Sequence, residues 1–122
     1  MTRETRAEMH EIATKARETN VLCAFTGPAA ASLLVPHLMV TALHCYVDTL
    51  KPELLSTLKA DPIPSGGNLW LNAAQSKNIS LGFRLIEGLQ IVDDFQVYLD
   101  LCTLGARGEE AAETLRQRQL GF

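Results

Sequence analysis

The sequence predicts a single α/β domain: a mixed β-sheet of about four to five strands, flanking helices and a C-terminal helical pair. Three observations support this fold class. The chain has 122 residues, which suits one domain with a substantial core. Its composition, 47% hydrophobic and 20% charged, is typical of a globular protein. Short apolar segments first alternate with helical patterns, strands then cluster, and two helical segments close the chain.

The first segment, residues 2–19, predicts a charged helix. Its apolar stripe consists of Met9, Ile12, Ala13 and Ala16. Glu11 and Lys15 form a correctly oriented i, i+4 pair. Because the stripe is thin, we expect this helix to be peripheral and its removal to leave a folded domain. Residues 1–20 are therefore assigned to an N-terminal helix, and residues 21–122 to the α/β domain.

The segment between residues 21 and 59 alternates between strand and helix. Thr26 or Gly27 caps the first of its two helices, because both residue types are common at this position, and Pro36 ends that helix. The predicted elements are a strand at Val21–Phe25, a helix that opens with Thr26-Gly27-Pro28, a strand at about Leu43–Val47 and a short helix at Pro52–Lys59.

The middle of the chain predicts further strands. A turn-rich connection, Asp61–Asn68, leads to a strand at Leu69–Leu71. Trp70 is expected in the core, because its large apolar ring is costly to leave in water. Alternation with polar or small residues predicts a half-buried strand that carries Ile79, Leu81, Phe83 and Leu85. Glu87-Gly88 predicts a hairpin turn.

The C-terminal stretch, Val92–Gly121, predicts two helices joined by a glycine-containing turn. Asp93 is the expected N-cap of the first helix, and Gln96 stands where it would complete a capping box. One face of this helix carries Phe95, Leu99 and Cys102. Because the helix is apolar nearly all round, we expect it to be central and buried.

Asp100 lies on the only polar stripe of that helix, where an unpaired charge near the core would be costly. Arg107 begins the next helix across the turn. A guanidinium suits a carboxylate because it offers several donors in a fixed fork, so we expect the two to form a structural pair. The alternative is that Arg107 reaches a phosphate or a partner, helped by the positive end of the last helix.

The charge balance is acidic, with a net charge of −3 and a pI of about 5.5. This argues against broad binding to a phosphate backbone, which needs clustered Lys and Arg. The candidates for local nucleic-acid or partner contacts are Arg107, Arg116 and Arg118, which Arg3, Arg6 and Lys15 could extend into a basic face. The competing interpretation is that Arg116 and Arg118 complement the helix dipole on a solvated face.

The three cysteines, Cys23, Cys45 and Cys102, are odd in number and form no CxxC pair. Each lies in an apolar run, which is typical of buried thiols in a reducing cytosol. No apolar run is long enough to span a bilayer, and the N-terminus is charged rather than a signal peptide. We therefore expect a cytoplasmic protein with no membrane partner.

No metal, cofactor or catalytic site is predicted. The candidate zinc ligands, which lack the paired spacing of zinc sites, are His37, His44, Cys23 and Cys45. His44 and Cys45 are adjacent on a strand and so point to opposite faces. The glycines at 66–67 precede a strand rather than a helix, which predicts a tight turn and not a phosphate cradle. No strand carries the Glu-x-Lys or Asp-x-Asp pair that nuclease or nucleotidyl-transfer chemistry would need.

Five short motifs follow one another along the chain. They are Phe25-Thr26-Gly27-x-Ala-Ala, His44-Cys45-Tyr46-Val47-Asp48, Ser65-Gly66-Gly67-Asn68-Leu69-Trp70-Leu71, Gln96-Val97-Tyr98-Leu99-Asp100-Leu101, and Arg107-Gly108-Glu109-Glu110-Ala111-Ala112 with Leu115-Arg116. In this order they resemble the effector domain of AbiEi-type antitoxins, of type IV toxin–antitoxin systems, from about Leu22 to the end. The positions that the resemblance marks as structural are Thr26, Gly27, Gly66, Gly67, Asn68, Asp100 and Gly108.

The resemblance implies a non-enzymatic, antitoxin-like regulator that counters a nucleotidyltransferase-like toxin. The partner would be a cognate toxin at the genetic level, because the systems that define this type form no stable toxin–antitoxin complex. Family members also carry an N-terminal winged helix that binds their own promoter. Only about twenty residues precede the resembling region. We therefore expect any DNA contact to come from a separate module or from a local basic face.

Two other classes of function stay open. One is a small protein-interaction subunit that forms a homodimer through its N-terminal helix. The other is a degenerate nuclease-like enzyme. A neighbouring toxin gene would favour the antitoxin. A mass that depends on concentration would favour the interaction subunit, and Mg²⁺-dependent cleavage of nucleic acid would favour the enzyme.

Overall fold

The computed structural model describes residues 2–35, 38–59, 68–73 and 84–121. Pro36, Gly66, Gly67 and the part of the predicted strand from residue 79 to 83 lie outside them. In chain order the elements are α1 (Arg3–Glu18), β1 (Cys23–Thr26), α2 (Gly27–Leu34), β2 (Leu43–Val47), α3 (Pro52–Thr57), β3 (Leu69–Ala73), β4 (Arg84–Ile86), β5 (Leu89–Ile91), α4 (Asp94–Cys102), α5 (Gly105–Leu115) and a π-helical turn (Arg116–Leu120). Within these residues, no helix has the length and apolar character needed to cross a membrane.

Within the described residues, the strands form one five-stranded mixed sheet in the order β3-β2-β1-β5-β4. β1 is antiparallel to β2 and parallel to β5, while β3 is parallel to β2 and β4 antiparallel to β5. The hairpin between β4 and β5 turns at Glu87 and Gly88, whose φ angles of 55° and 79° suit a type I′ turn. The predicted α/β class, the mixed sheet, this hairpin and the C-terminal helical pair are therefore confirmed.

Helices cover both faces of the sheet. Leu43 and Leu69 line the same hollow as Ile12 and Leu58, which places α1 and α3 over one face. α2 and α4 pack on β1 at the opposite face, and α5 packs on α2 and α4. Because both faces are covered, every residue of β1 is buried.

α1 is helical as predicted, and it contributes to the main core. Glu11 and Lys15 form the expected ion pair, at 2.8 Å. Met9, Ile12 and Ala16 are buried in the same cluster as the sheet residues, with Met9 fully inaccessible. The expectation that this helix is peripheral is therefore wrong, because its narrow stripe lies against the sheet rather than on the outside of the domain. A boundary at residue 20 stays a prediction.

α4 begins where the sequence predicts. Asp93 caps it by accepting a hydrogen bond from the Phe95 amide at 3.0 Å. The capping box does not form, because the Gln96 side chain points along the helix and donates from Nε2 to Asp100 Oδ1 at 2.9 Å. Gln96 therefore supports Asp100 rather than the start of the helix.

The prediction that α4 is buried all round is wrong. Val97 and Leu101 are fully buried, whereas Phe95 and Leu99 are 48% and 43% exposed. Only one side of α4 meets the sheet, α2 and α5, so its remaining apolar side chains face outward.

Two further burial predictions are also corrected. Leu85 is exposed, because β4 is an edge strand and its neighbour Ile86 is the residue that turns toward the core. Cys102 is exposed at the end of α4, while Cys23 and Cys45 are buried free thiols.

Candidate functional site

Two rows of side chains cross β1, β2 and β3 on the face that α4 covers. The strand register aligns Thr26 with His44 and Trp70, and Ala24 with Tyr46 and Asn72. Residues aligned across neighbouring strands share a face of the sheet, so each row forms a continuous line of contacts. At the end of β1, Thr26 leads directly into α2 at Gly27. These two rows form the floor of the candidate site.

Asp100 projects from α4 onto this floor and joins the two rows. Its carboxylate accepts hydrogen bonds from Thr26 Oγ1 at 2.6 Å and from the Tyr46 hydroxyl at 2.9 Å. Gln96 Nε2 donates a third, from the preceding turn of α4. The cost of placing a charge beside the core is thus offset by three donors, and the carboxylate ties α4 to β1 and β2.

The Tyr46 hydroxyl is held in its neutral, donating form. Burial raises the pKa of Tyr46 to about 12, and the hydrogen bond and negative charge of Asp100 act in the same direction. Tyr46 therefore remains a donor to Asp100 across the neutral pH range.

Gly27 and His44 meet closely at the start of α2. Gly27 has a φ of +68°, which favours glycine, and a Cβ there would lie 3.2 Å from His44 Cδ2. The His44 ring is half-buried, and burial lowers its pKa while the charge of Asp100 opposes that shift. The site therefore favours a neutral imidazole, which offers one donor and one acceptor.

Trp70 is not a core residue, and the prediction that it would be is wrong. Its side chain is 41% exposed, because β3 is an edge strand and Trp70 lies on the face where α4 and α5 leave a groove. The Trp70 and His44 rings are nearly parallel, with an interplanar angle of 4° and centroids 5.9 Å apart. Together they form an aromatic wall that solvent reaches.

Two adjoining hollows open along this wall and share His44, Trp70 and Leu104 as lining residues. The smaller, of about 240 Å³, extends over Asn72 and Asp100. The larger, of about 580 Å³, extends past Met39 to Arg107. We call the two hollows together the Trp70 groove.

Arg107 does not pair with Asp100, and the predicted structural pair is wrong. Asp100 turns toward the sheet and its donors are Thr26, Tyr46 and Gln96, whereas Arg107 contacts Met39 Sδ at 3.3 Å from the first turn of α5. Gly105 starts α5 with a φ of +77°, and the helix then carries Arg107 to the rim of the groove.

The other two candidate arginines lie elsewhere. Arg107 and Arg116 are nine residues apart, which puts them on opposite sides of a helix with 3.6 residues per turn. Arg116 forms an ion pair with Glu113 at 2.5 Å, and Arg118 is exposed in the π-helical turn. Of the three, Arg107 is the one that lines the groove.

Gly108 permits the close contact between α4 and α5. It is buried, and a Cβ there would lie 2.2 Å from the Leu101 carbonyl oxygen and 2.7 Å from Leu104 Cβ. No side chain fits between the two helices at this point, so the geometry of the groove beside Leu104 depends on this glycine.

The sequence did not reveal which residues meet at this site. Alternation on two strands predicts that His44 and Tyr46 share a face, and that Trp70 and Asn72 share one. Nothing in that pattern indicates that Asp100 would join them, because Asp100 and Tyr46 are 54 residues apart in the chain.

Asn68 has a structural role outside the groove. Its backbone carbonyl accepts a hydrogen bond from the Leu43 amide at 2.9 Å, just before β3.

In the part of the chain that the structure describes, no three His, Cys, Asp or Glu side chains come together as metal ligands. No curated protein and no solved structure matches the chain significantly. A family model does match, over residues 2–121, and its description reads transcriptional regulator, AbiEi antitoxin, type IV TA system. Because the match includes α1 and extends through both C-terminal helices, the chain belongs to the AbiEi antitoxin family of type IV toxin–antitoxin systems.

Proposed function

We propose that this protein counters a nucleotidyltransferase-like toxin at the genetic level, in the cytoplasm, without catalysis of its own. The family match over residues 2–121 is the observation that carries this proposal. It assigns the chain to a family of antitoxins and transcriptional regulators. The class of the toxin is part of the proposal.

The structural hydrogen bonds that three carboxylates accept support a non-enzymatic role. Asp48 accepts a hydrogen bond from the Leu22 amide at 3.0 Å, Asp93 caps α4, and Asp100 binds three donors. Each of these three carboxylates thus accepts a structural hydrogen bond.

The decisive experiment is co-expression with the neighbouring gene. If that gene encodes the toxin, its induction should stop growth and the antitoxin should restore it. Gly108→Val, which cannot pack between α4 and α5, serves as the unfolded control and should not rescue. Growth arrest that persists at matched levels of folded wild-type protein would contradict the proposal.

Transcriptional autoregulation is a separate part of the proposal. DNA would be contacted through another module or through the surface that contains Arg107, which is exposed at the start of α5. A mobility-shift assay with the protein's own promoter tests this. A shift that Arg107→Gln weakens would assign the contact to this domain, and the absence of any shift would leave it to another module.

One observation favours an interaction subunit as a second candidate. Phe95, Leu99 and Leu104 expose 48%, 43% and 37% of their side chains along α4 and its end. Phenylalanine is enriched at protein interfaces, and Phe95 and Leu99 lie one helical turn apart on α4. Sedimentation over a range of concentrations, with Phe95→Ser/Leu99→Ser as the matched variant, tests this candidate. A concentration-dependent mass that the variant abolishes supports it, and a constant monomer mass excludes it.

A further inference from the structure

The Trp70 groove has the dimensions of a small-molecule site. Ligand pockets in proteins typically enclose about 300–1,000 Å³, and the larger hollow of about 580 Å³ lies within this range. The smaller hollow continues it along the sheet, with the Trp70–His44 wall common to both. A ligand that follows the wall can therefore contact both hollows at once.

The wall itself favours a flat aromatic ligand. Trp70 is the only tryptophan in the chain, and 41% of its side chain stays exposed although its neighbours Leu69 and Leu71 pack against the core. His44 supports the ring from the next strand. Aromatic side chains that stand open beside a groove are the usual platforms on which nucleobases stack, whatever their sequence.

A polar edge lies next to this platform. Asn72 follows Trp70 by two residues on β3, so its side chain is on the same face, and it lines the smaller hollow. Among the described residues, no hydrogen bond occupies its side-chain amide. A carboxamide pairs a donor with an acceptor at the spacing that the edge of a base presents.

The charged side chains at the other end of the groove determine which group of the ligand can bind there. Arg107 lines the larger hollow, and its partner among the described residues is the weak acceptor Met39 Sδ. Glu110 lines the same hollow one helical turn later. One guanidinium beside one carboxylate suits a single phosphate and disfavours a chain of phosphates.

We propose that the Trp70 groove binds one nucleotide that carries a single phosphate, with its base against Trp70 and its phosphate at Arg107. Asn72 then reads the edge of the base. The source of that nucleotide is a free nucleoside monophosphate or an unpaired nucleotide of a single strand, since both present the same base and phosphate. This site does not depend on the toxin-countering role, and either proposal can fail without the other.

Intrinsic fluorescence reports binding directly, because the only tryptophan is the stacking residue. The four nucleoside monophosphates are titrated into the whole protein, with ribose 5-phosphate and inorganic phosphate as controls. Stacking should quench the emission with each nucleotide that binds, and the two controls should leave it unchanged. The absence of quenching by every nucleotide up to millimolar concentration would overturn the proposal, as would equal quenching by phosphate alone.

Variants then locate the ligand. Arg107→Gln keeps the tryptophan reporter and should weaken binding about tenfold, as expected for loss of a charged hydrogen bond. Arg118→Gln removes a charge of the same kind outside the groove and should bind as wild type does. Trp70→Ala should abolish binding, which is measured by calorimetry because this variant has no tryptophan reporter. Circular dichroism verifies that the variant is folded. Equal affinity of wild type and Arg107→Gln, or binding by folded Trp70→Ala, would contradict the assignment.

A last arm distinguishes the two sources. Short single-stranded oligonucleotides are titrated beside the monophosphates at two salt concentrations. If the oligonucleotide binds more tightly than the monophosphates and Arg107→Gln weakens its binding, the ligand is a single strand. If the oligonucleotide binds equally tightly or more weakly, the ligand is the free nucleotide. Either result supports the groove as a nucleotide site, and oligonucleotide binding that is insensitive to both Arg107→Gln and Trp70→Ala would refute it.

Discussion

Asp100 connects α4 to the sheet through hydrogen bonds from two strands and from its own helix. An asparagine would keep its shape but turn an NH₂ group toward a hydroxyl donor. Asp100→Asn should therefore lower the free energy of unfolding by about 1–3 kcal/mol. A double-mutant cycle with Tyr46→Phe should give a coupling of about 0.5–3 kcal/mol, measured by chemical denaturation.

The same cycle with Arg107→Gln is the control. Arg107 is exposed and contacts Met39, so its substitution should change stability by less than about 0.5 kcal/mol, with no coupling to Asp100. A coupling as large as that of Tyr46 would restore the ion pair that the sequence suggested.

His44 should make stability depend on pH. Burial lowers its pKa below the ordinary 6.5, so the unfolded chain binds this proton more readily than the folded one. The contribution is fully present above about pH 6.5 and is lost as the pH falls through the folded-state pKa. Thermal melting between pH 7 and pH 5 should show this decline, and His44→Gln should flatten it.

Two comparisons isolate the His44 effect. His10 is exposed on α1, so His10→Gln serves as the matched control for removal of an imidazole outside the site. Hydrogen bonds from Lys15 and Arg116 lower the pKa of Glu11 and of Glu113 from the ordinary value of 4.5. The stability that these two ion pairs contribute is therefore lost only below pH 4.5, outside the range between pH 7 and pH 5. A decline between pH 7 and pH 5 that persists in His44→Gln would assign it to another group.

At the scale of the elements, α4 and α5 are held together at Gly108. A methyl group there would lie 2.2 Å from the Leu101 carbonyl oxygen, so the two helices must separate to accommodate it. Gly108→Ala should cost about 2–4 kcal/mol although alanine favours helix. Denaturant titration measures this loss, and Glu109→Ala, at the exposed neighbouring position, should change stability by less than about 0.5 kcal/mol. A neutral Gly108→Ala would show that the helices are not in close contact.

The elements also mark how far sequence reasoning extends. Caps, turns and alternation act within a few residues, and they correctly placed β2, the Glu87-Gly88 hairpin and the Asp93 cap. Which side of α4 is covered depends on helices and strands that are distant in the chain. Its apolar residues therefore did not reveal that Phe95 and Leu99 would face outward.

Because local patterns do not predict how distant elements pack, the sequence predicted only part of the candidate site. The strand pattern predicts the face that Tyr46 shares with His44, while the position of Asp100 above them follows from how α4 packs. Trp70 was misjudged because hydrophobicity alone does not distinguish a central strand from an edge strand that borders a groove.

At the scale of the whole molecule, the proposed non-enzymatic role predicts that the acids at element ends take no part in catalysis. Asp48 accepts a hydrogen bond from the Leu22 amide, just before β1, and Asp93 accepts one from the Phe95 amide at the start of α4, so the two carboxylates are engaged at different elements. Asp48→Asn and Asp93→Asn keep an accepting oxygen, and asparagine caps a helix about as well as aspartate, so each should lower stability by less than about 1 kcal/mol and leave toxin neutralisation intact. The purified protein should also leave RNA, DNA and nucleoside triphosphates unchanged in the presence of Mg²⁺, as followed by gel electrophoresis and chromatography. Cleavage or nucleotidyl transfer that copurifies with the protein and is lost in a folded Asp48→Asn or Asp93→Asn variant would make it an enzyme instead.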